Sequence, residues 1–189
     1  MSYHHGDLRQ AVLQAAAERI AADGVAALNL RSLARDLGVA HTAPRHHFGD
    51  KRGVLTALAA QGYRQMAERI AVQRGGDLLD AGVAYVQFAV EHPGHFAVMF
   101  RPDLVDESEP ELQEAVGALG RSLIAAVAAF RGEPVAEASS GDPREQSGTL
   151  AAWSIAHGLA HLMLAGVAAP AEGESRAEFI RRTLAHIAV

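Results

Sequence analysis

Residues 38–51 read GVAHTAPRHHFGDK. Three histidines, an arginine, a lysine and a proline crowd into this stretch, which offers little to bury, although apolar helical runs flank it on both sides. A metal site, a catalytic base and a surface that meets polyanions all use these residue types, so the flanking pattern has to discriminate. Upstream, Leu8, Val12, Leu13, Ala16 and Ile20 recur at three- and four-residue steps and predict a first helix from Asp7 to Asp23. Asp7 with Gln10 resembles a capping box, and Gly24 is a good left-handed stop. A second, short helix is expected after Asn29, a strong N-cap, with Leu33, Ala34 and Leu37 inward and Gly38 at its end. A tight turn at Gly38-Val39 and a third helix over about His41–His47 complete a helix-turn-helix layout. Pro44 is tolerated there because it falls early in the helix, where a missing N–H has no partner to lose. Phe48 returns the segment to the core. Asp50 then caps a fourth helix from Lys51 to about Val72, with Val54, Leu55, Leu58, Met66 and Ile70 on its buried side.

Further along, Gly75-Gly76 is the expected module boundary and Asp77 the next N-cap. A fifth helix runs to about His92, where Pro93-Gly94 interrupts it, and HFAVMFR (95–101) forms a sixth. An acidic loop (103–111) leads into a seventh helix, Glu111–Phe130. Residues 132–146 are a low-complexity stretch expected as a loop. The eighth helix, about Gln146–Val167, is apolar nearly all round, and the ninth, Arg176–Ile187, is amphipathic. There is no repeat and no strand signal. The expectation is an all-α chain of about nine helices, with an amino-terminal module (1–50), a connecting helix (51–73) and a larger helical domain (74–189).

Composition narrows the function classes. The chain has 189 residues and no cysteine, so disulfides and thiolate metal sites are excluded. No apolar run approaches the ~20 residues of a membrane span, and MSYHHGDLRQ is too polar for a secretory signal. A soluble cytoplasmic protein without a membrane partner is the expectation. The net charge of −5 argues naively against nucleic acid, but the charge is unevenly placed. Residues 1–70 hold nine Lys/Arg against six Asp/Glu (net +3), and residues 71–189 hold eight against sixteen (net −8). A basic module on an acidic body fits a polyanion binder with a separate second function.

Residues 7–71 resemble the DNA-binding module of TetR-type transcriptional regulators. The match is carried by the first helix and Gly24, by LNLRSLARDLGV, by a short helix ending in HHF, and by GDK opening a long helix. YHHGDLR (3–9), with Trp153 and the His157-Gly158 pair, is similar to a subgroup with a tryptophan–histidine–glycine carboxyl-terminal signature. One departure stands out. The family's usual phosphate-touching tyrosine, two residues before the His47-Phe48 pair, is Arg45 here, so operator preference is expected to differ.

The resemblance implies that the third helix enters the major groove with its first residues toward the bases. Ala40, His41, Thr42 and Arg45 would read or brace there, His46 and Arg31 would meet the backbone, and Lys51 would meet a phosphate at the start of the fourth helix. Phe88, Phe96, Met99, Phe100, Leu119, Leu123, Trp153, His157, His161 and Met163 are candidates for an apolar cavity with a few polar points, holding a small-molecule effector; each could equally be core. Metal is the weaker reading. His46 and His47 diverge by about 100° on a helix, and His157 and His161, though four apart, lack a third ligand in sequence. No cofactor is expected. The eighth helix is too apolar to face water, so either the body wraps it or a second subunit covers it. A symmetric DNA reader needs two modules, so a homodimer is expected, with Ala151, Ala152, Ile155, Gly158, Leu159, Phe179, Thr183 and Ile187 at its seam.

An enzyme would need a nucleophile–base pair or paired carboxylates in a cleft. The sequence has no GxSxG, no cysteine and no phosphate loop, so an enzyme is not expected. A protein-binding helical adaptor without DNA binding would leave Arg45 and Lys51 without a purpose. The expected function is therefore a ligand-responsive homodimeric repressor on a palindromic operator.

Overall fold

Helices form where the apolar stripes demand them, and local chemistry sets most of their ends. The computed structural model describes residues 5–72, 78–134 and 142–186. Among these, nine α-helices and no strand are present: α1 (His5–Asp23), α2 (Leu30–Asp36), α3 (Ala43–Phe48), α4 (Lys51–Val72), α5 (Leu78–Glu91), α6 (Pro93–Met99), α7 (Pro110–Arg131), α8 (Ser147–Leu164) and α9 (Arg176–Ala185). A one-turn 3-10 helix, Val25–Ala27, sits between α1 and α2. The chain is all-α, as the periodicity predicts. Gly75-Gly76, Asp77 and Ile187, together with residues 135–141 of the expected loop, lie outside the described residues.

Several helix ends differ from expectation. α1 begins at His5, so Asp7 lies inside the helix and is not its N-cap. α3 begins at Ala43, because His41 and Thr42 belong to a turn in which Ala43 N donates to Ala40 O at 2.9 Å. α6 begins at Pro93 and ends at Met99. Proline stops the preceding helix but is well suited to the first turn of the next, so Pro93-Gly94 opens α6 instead of standing outside it. α7 also meets the length and composition of a membrane-crossing helix, unlike the sequence expectation. Its many alanines raise the apolar average, while Leu112, Ala115, Leu119 and Ile124 are packed as core.

The described chain divides into two units. The first comprises Met1–Tyr63 and His92–Ala115. Its core holds Val12, Leu13 and Ala16 of α1, Val54, Leu55 and Leu58 of α4, and Phe96 and Val98 of α6. α1 packs on α6, and the approach is close. A Cβ at Gly94 would lie 2.0 Å from the Ala17 carbonyl oxygen. Tyr63 donates its hydroxyl to Met99 O and stacks edge-on to Phe100, with centroids 5.4 Å apart. Arg52 donates to Val105 O at 2.6 Å, and Asp106 N donates to Thr56 Oγ1 at 2.9 Å, strapping the segment after α6 to the first turns of α4.

The second unit comprises Arg64–Glu91 and Val116–Val189. α5 packs against both α8 and α9. Tyr85, Val86, Phe88 and Ala89 of α5, Ala156, Leu159 and Ala160 of α8, and Ile180 and Leu184 of α9 are buried there. Each large aliphatic or aromatic side chain so buried stabilises by roughly 1.5–3 kcal/mol. Ser175 and Glu178 cap α9 reciprocally, and Asp80 pairs with Arg181.

Candidate nucleic-acid interface and a polar cluster on α8

The α2–α3 segment is fixed from below. Asn29 Oδ1 accepts from Arg31 N at 2.9 Å and Ser32 N at 3.2 Å, starting α2 at the expected residue. Gly38 takes φ +67° in the turn, a conformation in which a Cβ is strained. Val39 N returns to Ala34 O at 3.0 Å. Leu33, Ala34 and Pro44 point into the unit, so the opposite surface must face water. Arg31, Ala40, His41, Thr42, Arg45 and His46 are all exposed.

Lys51, the seventh residue expected at this surface, is differently engaged. Its ammonium donates to Val25 O at 2.8 Å and to Ala26 O at 3.4 Å, capping the carbonyls of the 3-10 turn. Sequence reading missed this bond because its acceptors are backbone groups with no side-chain signal.

The charge balance at the α2–α3 surface follows from its neighbours. Asp36 is paired with Arg19 at 3.0 Å and Arg35 at 3.7 Å, and Asp23 with Arg19 at 3.3 Å. Asp50 Oδ1 accepts from Gly53 N at 2.9 Å, so its charge serves the first turn of α4. Arg31 and Arg45 form no ion pair with a described residue. The nearby carboxylates are engaged and two guanidinium groups are not. Such a surface attracts a polyanion.

His47 and Phe48 turn the other way, toward a cavity of about 540 Å³ in the first unit that is also lined by Arg9, Arg52, Asp106 and Glu111. Arg9 pairs with Glu111 at 3.0 Å and lies 5.7 Å over the Phe48 ring. None of the residues expected to line an effector pocket lines this cavity. Phe96 and Met99 are buried in the first unit's core, with Phe100 half-buried beside them; Phe88 and Leu119 are buried in the second unit, and Leu123 and Met163 are half-buried.

Trp153, His157 and His161 do come together, and Tyr85 of α5 joins them. Trp153 Nε1 donates to Tyr85 Oη at 2.9 Å, and that oxygen lies 2.8 Å from His157 Nδ1. His157 Nε2 lies 3.1 Å from His161 Nε2. Burial, and after it the neighbouring His161, lowers the His157 pKa below the usual histidine value. Tyr85 was missed as a site residue, although a tyrosine on an apolar stripe needs a partner for its hydroxyl and so signals a polar point in the core.

α8 presents a surface-facing stripe in which Leu150, Ala151, Ser154, Gly158 and Leu162 are exposed. Of the expected seam residues, Ala152, Ile155, Phe179 and Thr183 are half-buried. Leu159 is a correction: it is 7% exposed and lies inside the second unit's own core, because it falls on the opposite side of α8.

Residues 78–187 match the family model described as tetracyclin repressor-like, C-terminal domain. The match covers more than half of the chain. The chain belongs to this family, whose members are DNA-binding transcriptional regulators and not enzymes. Among curated relatives, it is 29% identical over 101 residues to the uncharacterized HTH-type transcriptional regulator YobS of Bacillus subtilis (strain 168), a match spanning about half of each chain, 51% of this one and 53% of YobS. Among solved structures, a protein of unknown function from Rhodococcus sp. RHA1 is 27% identical with a TM-score of 0.73, covering 98% of this chain and 96% of the other. NalD of Pseudomonas aeruginosa, the secondary repressor of the MexAB-OprM multidrug efflux pump, shares the fold at 21% identity and TM-score 0.57, covering 96% and 95%.

Proposed function

We propose that this chain is a cytoplasmic transcriptional repressor that binds a palindromic operator as a homodimer and is released by a small-molecule effector. The single observation that carries the reading is the exposed α2–α3 surface. There Arg31 and Arg45 lack carboxylate partners among the described residues, while Asp23, Asp36 and Asp50 are engaged. Residues 1–50 act as the reading head, 51–73 as the connecting helix and 74–189 as the effector and dimer domain. Ala40, His41, Thr42 and Arg45 enter the major groove, while Arg31 and His46 hold phosphates. Two heads spaced about 34–36 Å apart, one DNA turn, are what a symmetric operator requires.

The exposed apolar stripe on α8 supports pairing of two copies, since such a stripe is unstable in water. The effector is largely apolar and takes Trp153, His157 and His161 as its polar points. It weakens operator binding only as far as it prefers the conformation that cannot bind DNA.

Gel shifts on genomic fragments across a salt series test the reading. Affinity should fall steeply and linearly on a log–log plot. Arg45→Ala should weaken or redirect binding and flatten that slope by about one phosphate if its contact is to the backbone. Salt-independent retention, or no retention of any fragment, overturns the reading.

A further inference from the structure

The helical spacing of His157 and His161 puts two imidazoles on adjacent turns of one face. What sequence cannot supply is which atoms face each other. Here both are Nε2, 3.1 Å apart, with ring centroids at 4.6 Å. Two nitrogens bound to one tetrahedral ion at the usual zinc–nitrogen distance are roughly 3.3 Å apart. The pair is therefore held near the separation that chelation requires.

The groups behind the pair are also those a metal-binding histidine needs. A ligating imidazole normally donates its second N–H to an oxygen, which fixes its tautomer and aims its lone pair. His157 Nδ1 lies 2.8 Å from Tyr85 Oη. That oxygen has two lone pairs, one of which accepts from Trp153 Nε1, a group that can only donate. The other can accept His157 Nδ1–H, leaving the His157 Nε2 lone pair directed at His161. Trp153 and Tyr85 together thus orient His157 from the core side, while His161 is exposed. In the metal-free protein His161 Nε2–H bridges to His157 Nε2. On binding an ion, the exposed ring moves that proton to its own Nδ1 through solvent, and no net proton is gained or lost.

We propose that His157 and His161 form a two-imidazole site for a late first-row divalent cation such as Ni²⁺, Cu²⁺ or Zn²⁺, with Tyr85 as its positioning residue. Among the described residues no cluster of three His, Cys, Asp or Glu side chains surrounds an ion position, so water completes the coordination and binding is exchangeable. Imidazole nitrogen selects against Mg²⁺ and Ca²⁺, which take oxygen ligands. The site shares His157 and His161 with the proposed effector contacts but not with the DNA-reading surface, so a failed metal titration leaves the gel-shift test of DNA binding standing.

Trp153 is the chain's one tryptophan and its ring lies 6.3 Å from that of His157, so its fluorescence reports locally. The experiment titrates the full-length protein with Ni²⁺, then with Cu²⁺, Zn²⁺ and Mg²⁺, following Trp153 emission and the heat of binding. Ni²⁺ and Cu²⁺ should quench saturably at one ion per chain, Zn²⁺ should displace Ni²⁺, and millimolar Mg²⁺ should do neither. His161→Ala, with His161→Gln as a second replacement at this exposed position, should abolish the quenching while helix content by circular dichroism stays unchanged. Tyr85→Phe should weaken Ni²⁺ binding by roughly 10–100-fold, as loss of an orienting partner does. Quenching that survives in both His161 variants, equal responses to Mg²⁺ and Ni²⁺, or no quenching and no heat up to millimolar Ni²⁺ would each overturn the proposal.

Discussion

Lys51 donates its ammonium to the Val25 carbonyl at 2.8 Å, reaching back 26 residues to close the 3-10 turn against the start of α4. This bond makes Lys51 a structural member of the first unit. Lys51→Met, which keeps the apolar stem, should lower the unfolding free energy by about 1–2 kcal/mol, the range for a hydrogen bond from a charged donor on a partly exposed residue. Arg45→Ala should leave it within about 0.5 kcal/mol, as for a surface change. Urea unfolding of both variants checks the contrast.

Gly94 has no room for a side chain. An added Cβ would meet Ala17 O at 2.0 Å and Ala17 C at 2.7 Å, both rigid backbone atoms. Gly94→Ala should force α6 away from α1 and destabilise the protein by about 1–3 kcal/mol, the cost of overpacking. Gly158 on α8 has nothing within 4 Å of its ideal Cβ. Gly158→Ala should therefore stabilise the subunit itself by about 0.5–1 kcal/mol, the usual helix-interior preference. Melting curves of the two variants should shift in opposite directions.

His95 gives the stability a pH dependence. It is 5% exposed, and its Nε2 lies 3.0 Å from Gln61 Oε1, an acceptor, so Nε2 carries the proton. Burial, reinforced by His92, lowers its pKa from 6.5 to about 4. The unfolded chain takes up a proton below about pH 6.5 that the folded chain refuses until about pH 4. The unfolded state thus binds more protons in that window, and the neutral ring's contribution is lost as pH falls through it. The total loss from this residue should be on the order of 3 kcal/mol, complete by about pH 4. Chemical denaturation at pH 7.5 and pH 5 should show the decline, and His95→Gln should flatten it.

Leu162 is 48% exposed on α8, so the subunit itself tolerates a charge there. Leu162→Glu should leave the melting transition of the subunit nearly unchanged and shift the solution mass from two chains to one. Light scattering after size exclusion reads this directly. An unchanged mass would place the seam elsewhere.

Where a helix end is decided by neighbours in sequence, it was legible. Asn29 caps α2 and Asp50 caps α4, each through bonds spanning two to three residues. Pro93 was misjudged because proline ends one helix and begins another with equal ease, and only the fit of Gly94 against Ala17 shows that it does both here. The exposed α2–α3 surface followed from the inward stripe of Leu33 and Ala34. For the expected effector pocket residue type does not discriminate, because Phe88, Leu119 and Phe96 are chemically the same as core residues and as pocket walls, and burial alone distinguishes them. The role of Tyr85 was hidden for another reason: its partners Trp153 and His157 lie 68 and 72 residues away.

The strap from Arg52 to Val105 carries a consequence for biosynthesis. The first unit is assembled from two pieces of chain separated by 28 residues that belong to the second. A nascent polypeptide cannot complete the hydrophobic centre beneath its own helix-turn-helix until the ribosome has released the segment through Ala115, well after the last residue of α3 has emerged. A shortened gene ending after α4 should accordingly yield a poorly folded fragment rather than a portable DNA-binding head.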